Sequence, residues 1–318
     1  METTILGRTG LRVGVAGLGA GGHSRLGLST GGNEAGAIAV IHAALDRGVN
    51  LIDTASVYGT EEVVGRAIAG RRAGVVLATK SSAMRGGEPM TPAAVRDSLE
   101  ASLRALGVDR IDLFQLHAVP PAQYETIRDR LVPVLERARA QGKIGFLGIT
   151  ETAPNDLEHA MLARAIPDGI WDSAMVAFHM MHQNARERVF PLTRAHNVGT
   201  LLMFAVRGIF ARPAQLATTL RELAAAGQVP AALAEEDPPL GFLLHPDGAD
   251  SLTDAAYRYV RHEPGVDVVL FGTGSIAHLQ RNIDSILKPK LPEADRARLA
   301  ALFSHLRGVG LDVPGRPR

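Results

Sequence analysis

Short runs of Val, Ile and Leu alternate along this chain with longer stretches in which apolar residues recur every three or four positions, the pattern of parallel strands joined by crossover helices. Strands are predicted at 13–17, 50–53, 74–80, 110–117, 144–149, 170–176, 199–204 and 266–271. Between the first two, residues 34–47 set Ile38, Ile41 and Leu45 on one helical stripe, and Gly48 stops the helix. After the third, Thr91-Pro92 reads as a cap with proline at the first helical position, and Val95, Leu99, Leu103 and Leu106 form the apolar face. Eight strand-and-helix units without a composition break predict an α/β fold, a (β/α)8 TIM barrel filling residues 1–318 as a single domain. An open doubly wound sheet has the same periods and is the competing architecture.

One interval leaves the rhythm. The long connection after strand seven, 207–250, contains Ala and Pro and a predicted helix at 213–226. It reads either as a lid or binding loop or as an insertion packed on the rim. Beyond it, Ser251 to Asp254 resembles a capping box opening a helix that ends at Arg261.

Ionisable residues at strand ends decide between the architectures. Strand two ends in Asp53, with Tyr58 five residues on; strand three ends in Lys80 and strand four in His117. In an open sheet these groups would be spread along an edge, whereas a barrel brings the C-terminal ends of its strands to one mouth. Of 34 Lys and Arg residues only four are Lys, at 80, 143, 288 and 290, so an ammonium at Lys80 is a marked choice. A compact ammonium can lie against a phenol and exchange protons with it, which a guanidinium does not do. The bland alternative is a buried Asp53–Lys80 ion pair beside an incidental Tyr and His. It leaves four suitable groups at one mouth without a reason.

Those four groups suit reduction of a carbonyl. Hydride delivery to the carbonyl carbon creates an alkoxide, so the site needs an acid near the oxygen. Tyr58 supplies the acid, Lys80 favours the phenolate that remains, Asp53 holds Lys80, and His117 donates toward the substrate oxygen. The set needs no metal.

Composition removes other function classes. With 46% hydrophobic residues the chain can bury a large core, and a net charge of +1, with both signs dispersed, gives no footprint for nucleic acid. Cysteine is absent, which excludes disulfides and thiolate metal sites. The start of the chain has no leader pattern, and no apolar run is long enough to span a bilayer. A cytoplasmic protein with no membrane partner is expected; no residue pattern speaks to oligomeric state.

The run Asp53-Thr54-Ala55-Ser56-Val57-Tyr58-Gly59 resembles the Asp-Thr-Ala-x-x-Tyr-Gly signature of the aldo-keto reductase superfamily. The likeness extends over nearly the whole chain, through the opening Leu6 to Leu11, the turn Gly17-Leu18-Gly19, Thr79-Lys80 and Leu116-His117. It implies Asp53, Tyr58, Lys80 and His117 as a catalytic tetrad, and a nicotinamide cofactor held across the barrel mouth without a Rossmann domain. Its phosphate segment resembles Gly272, Thr273, Gly274 and Ser275 opening a helix, where glycines permit close approach and free amides attract an anion. By resemblance His278, Arg281 and Asn282 meet the adenosine end. Arg281 facing a 2′-phosphate favours NADP(H) over NAD(H), although Gly272 and His278 stand where strongly NADPH-selective relatives carry basic residues.

Near the nicotinamide the chain departs from that pattern. Thr150-Glu151 replaces Ser-Asn after strand five, Met175 replaces Gln in strand six, and Phe204-Ala205-Val206, followed by Arg207, replaces Ser-Pro-Leu after strand seven. With Asp53, the residues Thr150, Glu151, Met175, Phe204, Ala205 and Arg207 are the expected contacts at this end of the cofactor. Methionine supplies no amide donor or acceptor, and Arg207 is expected to meet the pyrophosphate.

His179-Met180-Met181-His182 reads as loop or pocket rather than a metal site, His42 as structural, Trp171 as core and Phe178 as pocket lining. Loops at 20–33, 84–90, 119–124 and 207–250 are expected to shape the pocket, with the tail 308–318 at its edge. The expected function is NAD(P)H-dependent reduction of an aldehyde or ketone, run in either direction on a small-molecule carbonyl or alcohol. The alternatives are a sugar or secondary-alcohol dehydrogenase and a nucleotide-binding, redox-sensing regulatory barrel with slow turnover.

Overall fold

In the computed structural model, which describes residues 1–311, eight parallel strands close into a barrel. They are β1 (Ala16–Gly19), β2 (Leu51–Asp53), β3 (Val76–Ser82), β4 (Ile111–Val119), β5 (Ile144–Glu151), β6 (Ser173–Ala177), β7 (Gly199–Met203) and β8 (Val268–Phe271). Each pairs with its neighbours in sequence, and β8 closes on β1 through Val269↔Ala16 to Phe271↔Leu18. Helices lie between the strands, among them Glu34–Asp46, Glu61–Ile68, Pro92–Leu106, Tyr124–Ala140 and Ile276–Leu287. The predicted alternation and the closed barrel are both present.

Two-residue alternation sorts the strand side chains into two cores. Leu51, Val76, Ala78, Leu113, Met175, Leu201 and Val268 form one cluster inside the barrel, while Leu18, Ile52, Leu77, Phe114, Leu147, Val176, Leu202 and Val269 pack against the helices. The inward parity continues toward the C-terminal ends. Asp53 lies two residues beyond Leu51, Lys80 two beyond Ala78, and Gln115 and His117 two and four beyond Leu113. The period that builds the core therefore also aims these polar groups at the mouth.

The first strand differs from its predicted place. Residues Arg12–Gly14 pair antiparallel with Thr3–Ile5 in a hairpin, and the barrel strand begins only at Ala16. Asn50 fixes the hairpin, accepting from the Gly14 amide at 2.7 Å and donating to the Arg12 carbonyl at 2.9 Å. Leu6 and Val13 from this segment join the inner cluster and plug the N-terminal end of the barrel. Gly199 makes room for the plug, because a Cβ there would stand 2.6 Å from Leu6 Cγ.

The long connection folds into helices Gly208–Ala211, Pro213–Ala225 and Ala231–Ala234 before Leu252–Arg261. Ser251 caps that last helix by accepting from the Asp254 amide at 3.1 Å, but Asp254 returns to the amide of Asp250, so the capping box is displaced by one residue. Trp171 is core, as predicted. Phe178 is not pocket lining. The chain turns outward after β6, so its ring is fully buried in the helix layer, stacked on Tyr259 with centroids 5.8 Å apart.

The plug makes a stability prediction. Leu6→Ala removes a fully buried side chain at a place where glycine backbone surrounds it. It should cost about 2–5 kcal/mol, seen as a lower urea midpoint with an unchanged slope; a midpoint equal to wild type would show that the hairpin does not support the barrel.

Candidate active site

Asp53, Lys80 and Gln115 meet across three adjacent strands inside the barrel. The Lys80 ammonium, fully buried, donates to Asp53 Oδ2 at 2.5 Å and to the Thr54 carbonyl at 2.9 Å. Gln115 Nε2 donates to the other carboxylate oxygen at 3.0 Å. Burial opposes charge at both ends of the pair. It lifts the Asp53 carboxyl above its usual range, an effect reduced by Lys80 and Gln115. At Lys80 burial is outweighed by Asp53 and Tyr58, which hold the ammonium above its ordinary value. Gln115 was not anticipated, because an amide inside the apolar run of β4 reads as core; its signal is the inward parity it shares with His117.

Tyr58 ends a tight turn, Ser56–Tyr58, that follows β2, and Gly59 at φ 69° lets the chain leave it. The phenol ring rests on Gly21, where any Cβ would come within 2.4 Å of the ring. Lys80 Nζ lies 5.1 Å from the ring centroid. His117 Nε2 stands 3.4 Å from the Tyr58 hydroxyl, with the two rings edge to face. Burial, with the Lys80 ammonium nearby, pushes His117 down to about 3, so its imidazole is neutral near pH 7. Lys80 and His117, predicted at strand ends, lie one turn of pleat inside them, since β3 runs on to Ser82 and β4 to Val119.

A bulge carries His117. The β4–β5 register shifts between Leu116 and Val119, so two residues of β4 oppose Thr150 alone. Ala118 takes a left-handed backbone, φ 56°, which costs a residue with a side chain about 1 kcal/mol or more. Its amide donates to Thr150 Oγ1 at 2.7 Å.

From Tyr58 a groove of about 2430 Å³ runs along the mouth. Asp53, Met175, Phe204, Ala205, Arg207, Gly272 to Ser275, His278, Arg281 and Asn282 all line it. Thr150 and Glu151 lie outside this lining among the described residues. Glu151 turns away from the mouth: its oxygens accept from the Ala177 amide and bond His159, both at 2.7 Å. Being adjacent in one strand, Thr150 and Glu151 cannot both face the mouth. Of the loops expected to shape the pocket, residues of 20–33 and of 207–250 do so, whereas those of 84–90 and 119–124 do not. Leu311 adds to the lining; residues 312–318 of the expected tail lie outside the described residues.

At the far end, Ser275 caps helix Ile276–Leu287 and accepts from the His278 amide. Gly274 meets the protein's own backbone, since a Cβ there would lie 2.4 Å from Gly27 Cα. Its lack of a side chain is thus required by the loop after β1 before any ligand is considered. Phe204 has a left-handed backbone, φ 71°, and the Arg207 guanidinium lies 4.1 Å from its ring centroid.

Comparison with known proteins adds the family level. The aldo/keto reductase family model matches residues 16–303. L-galactose dehydrogenase of Arabidopsis thaliana is 25% identical over 97% of this chain and 95% of its own length. The holo form of an aldo-keto reductase from Bacillus halodurans superposes with a TM-score of 0.75 at 24% identity, over 95% of this chain and 96% of that one. An aldo/keto reductase from Klebsiella pneumoniae, solved with NADP and acetate, gives a TM-score of 0.65 at 24% identity over the same shares. At that identity the two structures bear on the fold.

Among the buried imidazoles the lowered His117, His179 and His182 outnumber His159, where burial is outweighed by Glu151, which holds the ring above its ordinary value, and their balance predicts how stability depends on pH. Burial, aided by nearby charge, pushes both His117 and His182 down to about 3, against about 6.5 in an unfolded chain. Between those values the unfolded chain binds more protons than the folded one, so stability should fall as pH drops from about 6.5 toward 3. Urea midpoints measured from pH 7.5 to 4.5 should decline, and His117→Gln should flatten the decline; an identical slope in the variant would refute the assignment.

Proposed function

This chain belongs to the aldo/keto reductase family and is an NAD(P)-dependent oxidoreductase, and on that premise we propose that it reduces an aldehyde or ketone with NADPH, with Tyr58 as the proton donor. The observation that carries the reading is the Tyr58 hydroxyl at the head of the groove, over a buried Lys80–Asp53 pair and 3.4 Å from a neutral His117.

The residues present fit a dinucleotide, though unevenly. Arg281, Ser275 and the free amides at the start of helix Ile276–Leu287 suit the phosphates and a 2′-phosphate, Arg207 the pyrophosphate, and Phe204 and Met175 offer apolar surface to the nicotinamide. The carboxamide end is less well served, because Thr150 and Glu151 are engaged with backbone amides of β4 and β6. When bound, the nicotinamide supplies or accepts the hydride.

The chain's own groups handle the proton. As negative charge builds on the carbonyl oxygen, the Tyr58 hydroxyl gives up its proton, and the ammonium close to its ring stabilises the phenolate left behind. Asp53, held by Lys80 and Gln115, keeps that ammonium charged and in place. His117, being neutral, can orient the oxygen by a hydrogen bond without competing as the acid. In reverse the phenolate accepts the proton of an alcohol. The likeness to L-galactose dehydrogenase supports including sugars and polyols in both directions of assay.

Tyr58→Phe should lower turnover by about a hundredfold or more in a panel of aldehydes, ketones and sugars, with nucleotide affinity retained. The wild-type kcat should show no ionisation near pH 6.5. Full activity in Tyr58→Phe would end the proton-donor reading, and tight nucleotide binding without turnover in wild type would favour a sensor.

Arg281→Ala should weaken NADPH binding about tenfold and leave NADH nearly unchanged, while Arg207→Ala should weaken both. Equal loss for both nucleotides in Arg281→Ala would remove the 2′-phosphate assignment.

A further inference from the structure

Thr150 lies near the C-terminal end of β5, outside the groove lining and across the ladder from the bulge that carries His117. It is 1% exposed and its hydroxyl oxygen is already used, accepting from the Ala118 amide at 2.7 Å. On the other side of β4 the regular ladder persists: His117 opposes Ser82, and its carbonyl accepts from Ala83 at 3.2 Å. The β4–β5 ladder has no backbone acceptor to offer at this point, because Leu116 pairs with Ile149 and the next pair is Val119 with Glu151. A side-chain hydroxyl therefore takes the place of the missing carbonyl. Among the described residues, Ala118 is the sole barrel-strand residue with a left-handed backbone, and an alanine adopts that conformation only where its surroundings impose it. The extra residue and the turn at Ala118 set the direction in which the preceding side chain leaves the strand.

We infer that Thr150 is a positioning residue for His117: its hydroxyl holds the bulge that aims Nε2 at the Tyr58 hydroxyl, and it acts through His117 rather than by gripping the nucleotide. The inference rests on the reading in which His117 serves the reaction. Thr150 is suited to this task by type. Its hydroxyl supplies the acceptor, and its β-branch limits rotation, so the oxygen stays on the amide. Serine retains the acceptor, and valine retains the shape without it.

The test separates the two roles by kinetics with NADPH and the carbonyl substrate turned over fastest in the panel above. In Thr150→Val, kcat should fall between about tenfold and a hundredfold, since small displacements of a positioned group cost that much. The Kd for NADPH, from fluorescence titration, should stay within about twofold of wild type. Thr150→Ser should recover most of the lost kcat. In a His117→Gln background, Thr150→Val should add less than about twofold, because the residue it positions is gone. If Thr150→Val does not fold, Thr150→Ala is read in the same way.

Weaker NADPH binding with kcat held would overturn the inference, as would losses that multiply fully with His117→Gln or a Thr150→Ser variant as impaired as Thr150→Val. A kcat untouched by His117→Gln alone would instead refute the role of His117, and the inference with it, so the two failures are told apart.

Discussion

The ion pair between Lys80 and Asp53 is the constraint around which the mouth is built. An ammonium and a carboxylate removed from water lose more in hydration than their attraction returns unless every remaining hydrogen-bonding site is filled. Here three strands supply partners: β2 brings Asp53, followed at once by the Thr54 carbonyl, β3 brings Lys80, and β4 brings Gln115 to the second carboxylate oxygen. Gln115 can lie there because β5 presents Gly148, where a Cβ would meet Gln115 Cγ at 2.7 Å. Removing one charge would strand the other in the interior, at a cost of about 3–5 kcal/mol. A pair so expensive to assemble makes sense where its field is used, and the Tyr58 ring lies within that field.

Around this rigid centre the irregular backbone is concentrated at the mouth. Ala118 and Phe204 are left-handed residues near the end of β4 and just beyond β7; Ala118 follows His117, and Phe204 itself lines the groove. Gly21 and Gly274 are places where a methyl group would collide with Tyr58 and with Gly27, respectively. The inner core below, Leu51 to Val268, has regular strand backbone and is packed aliphatic material, with Gly17 and Gly199 making room for Val268 and Leu6. The division fits a barrel in which the lower layers supply stability and the upper ends of the strands carry chemistry.

Much of this was legible in the sequence, for definite physical reasons. The strand and helix periods gave the eight units, and ionisable residues interrupting apolar runs gave Asp53, Lys80 and His117, because few other reasons place such groups there. Parity along the strands, pushed further, would have found Gln115 and separated Thr150 from Glu151, since alternate residues share a face. What period cannot express was missed. The hairpin at Arg12–Gly14 depends on the side chain of Asn50, 36 residues from Gly14. Phe178 went to the helix layer because the chain direction after β6 is a tertiary outcome. The bulge at Ala118 was also invisible, since the partner of its amide is a hydroxyl on the neighbouring strand.

Charge along the groove shows why a chain of net charge +1 can still suit an anionic dinucleotide. Four acids line the groove: Asp53, Asp250, Asp254 and Asp284. Lys80 holds the first, Lys288 the next two with Arg258 also on Asp254, and Arg47 the last. With the acids compensated within the protein, the groove also carries the guanidinium groups of Arg207, Arg212 and Arg281, and at one point the amides that open helix Ile276–Leu287 add to their potential. Net charge counts every residue equally, whereas a ligand meets the local balance of the charges around it. An overall balance near zero thus leaves room for a narrow anion-binding stretch within the groove, where Arg207, Arg212 and Arg281 lie along one lining.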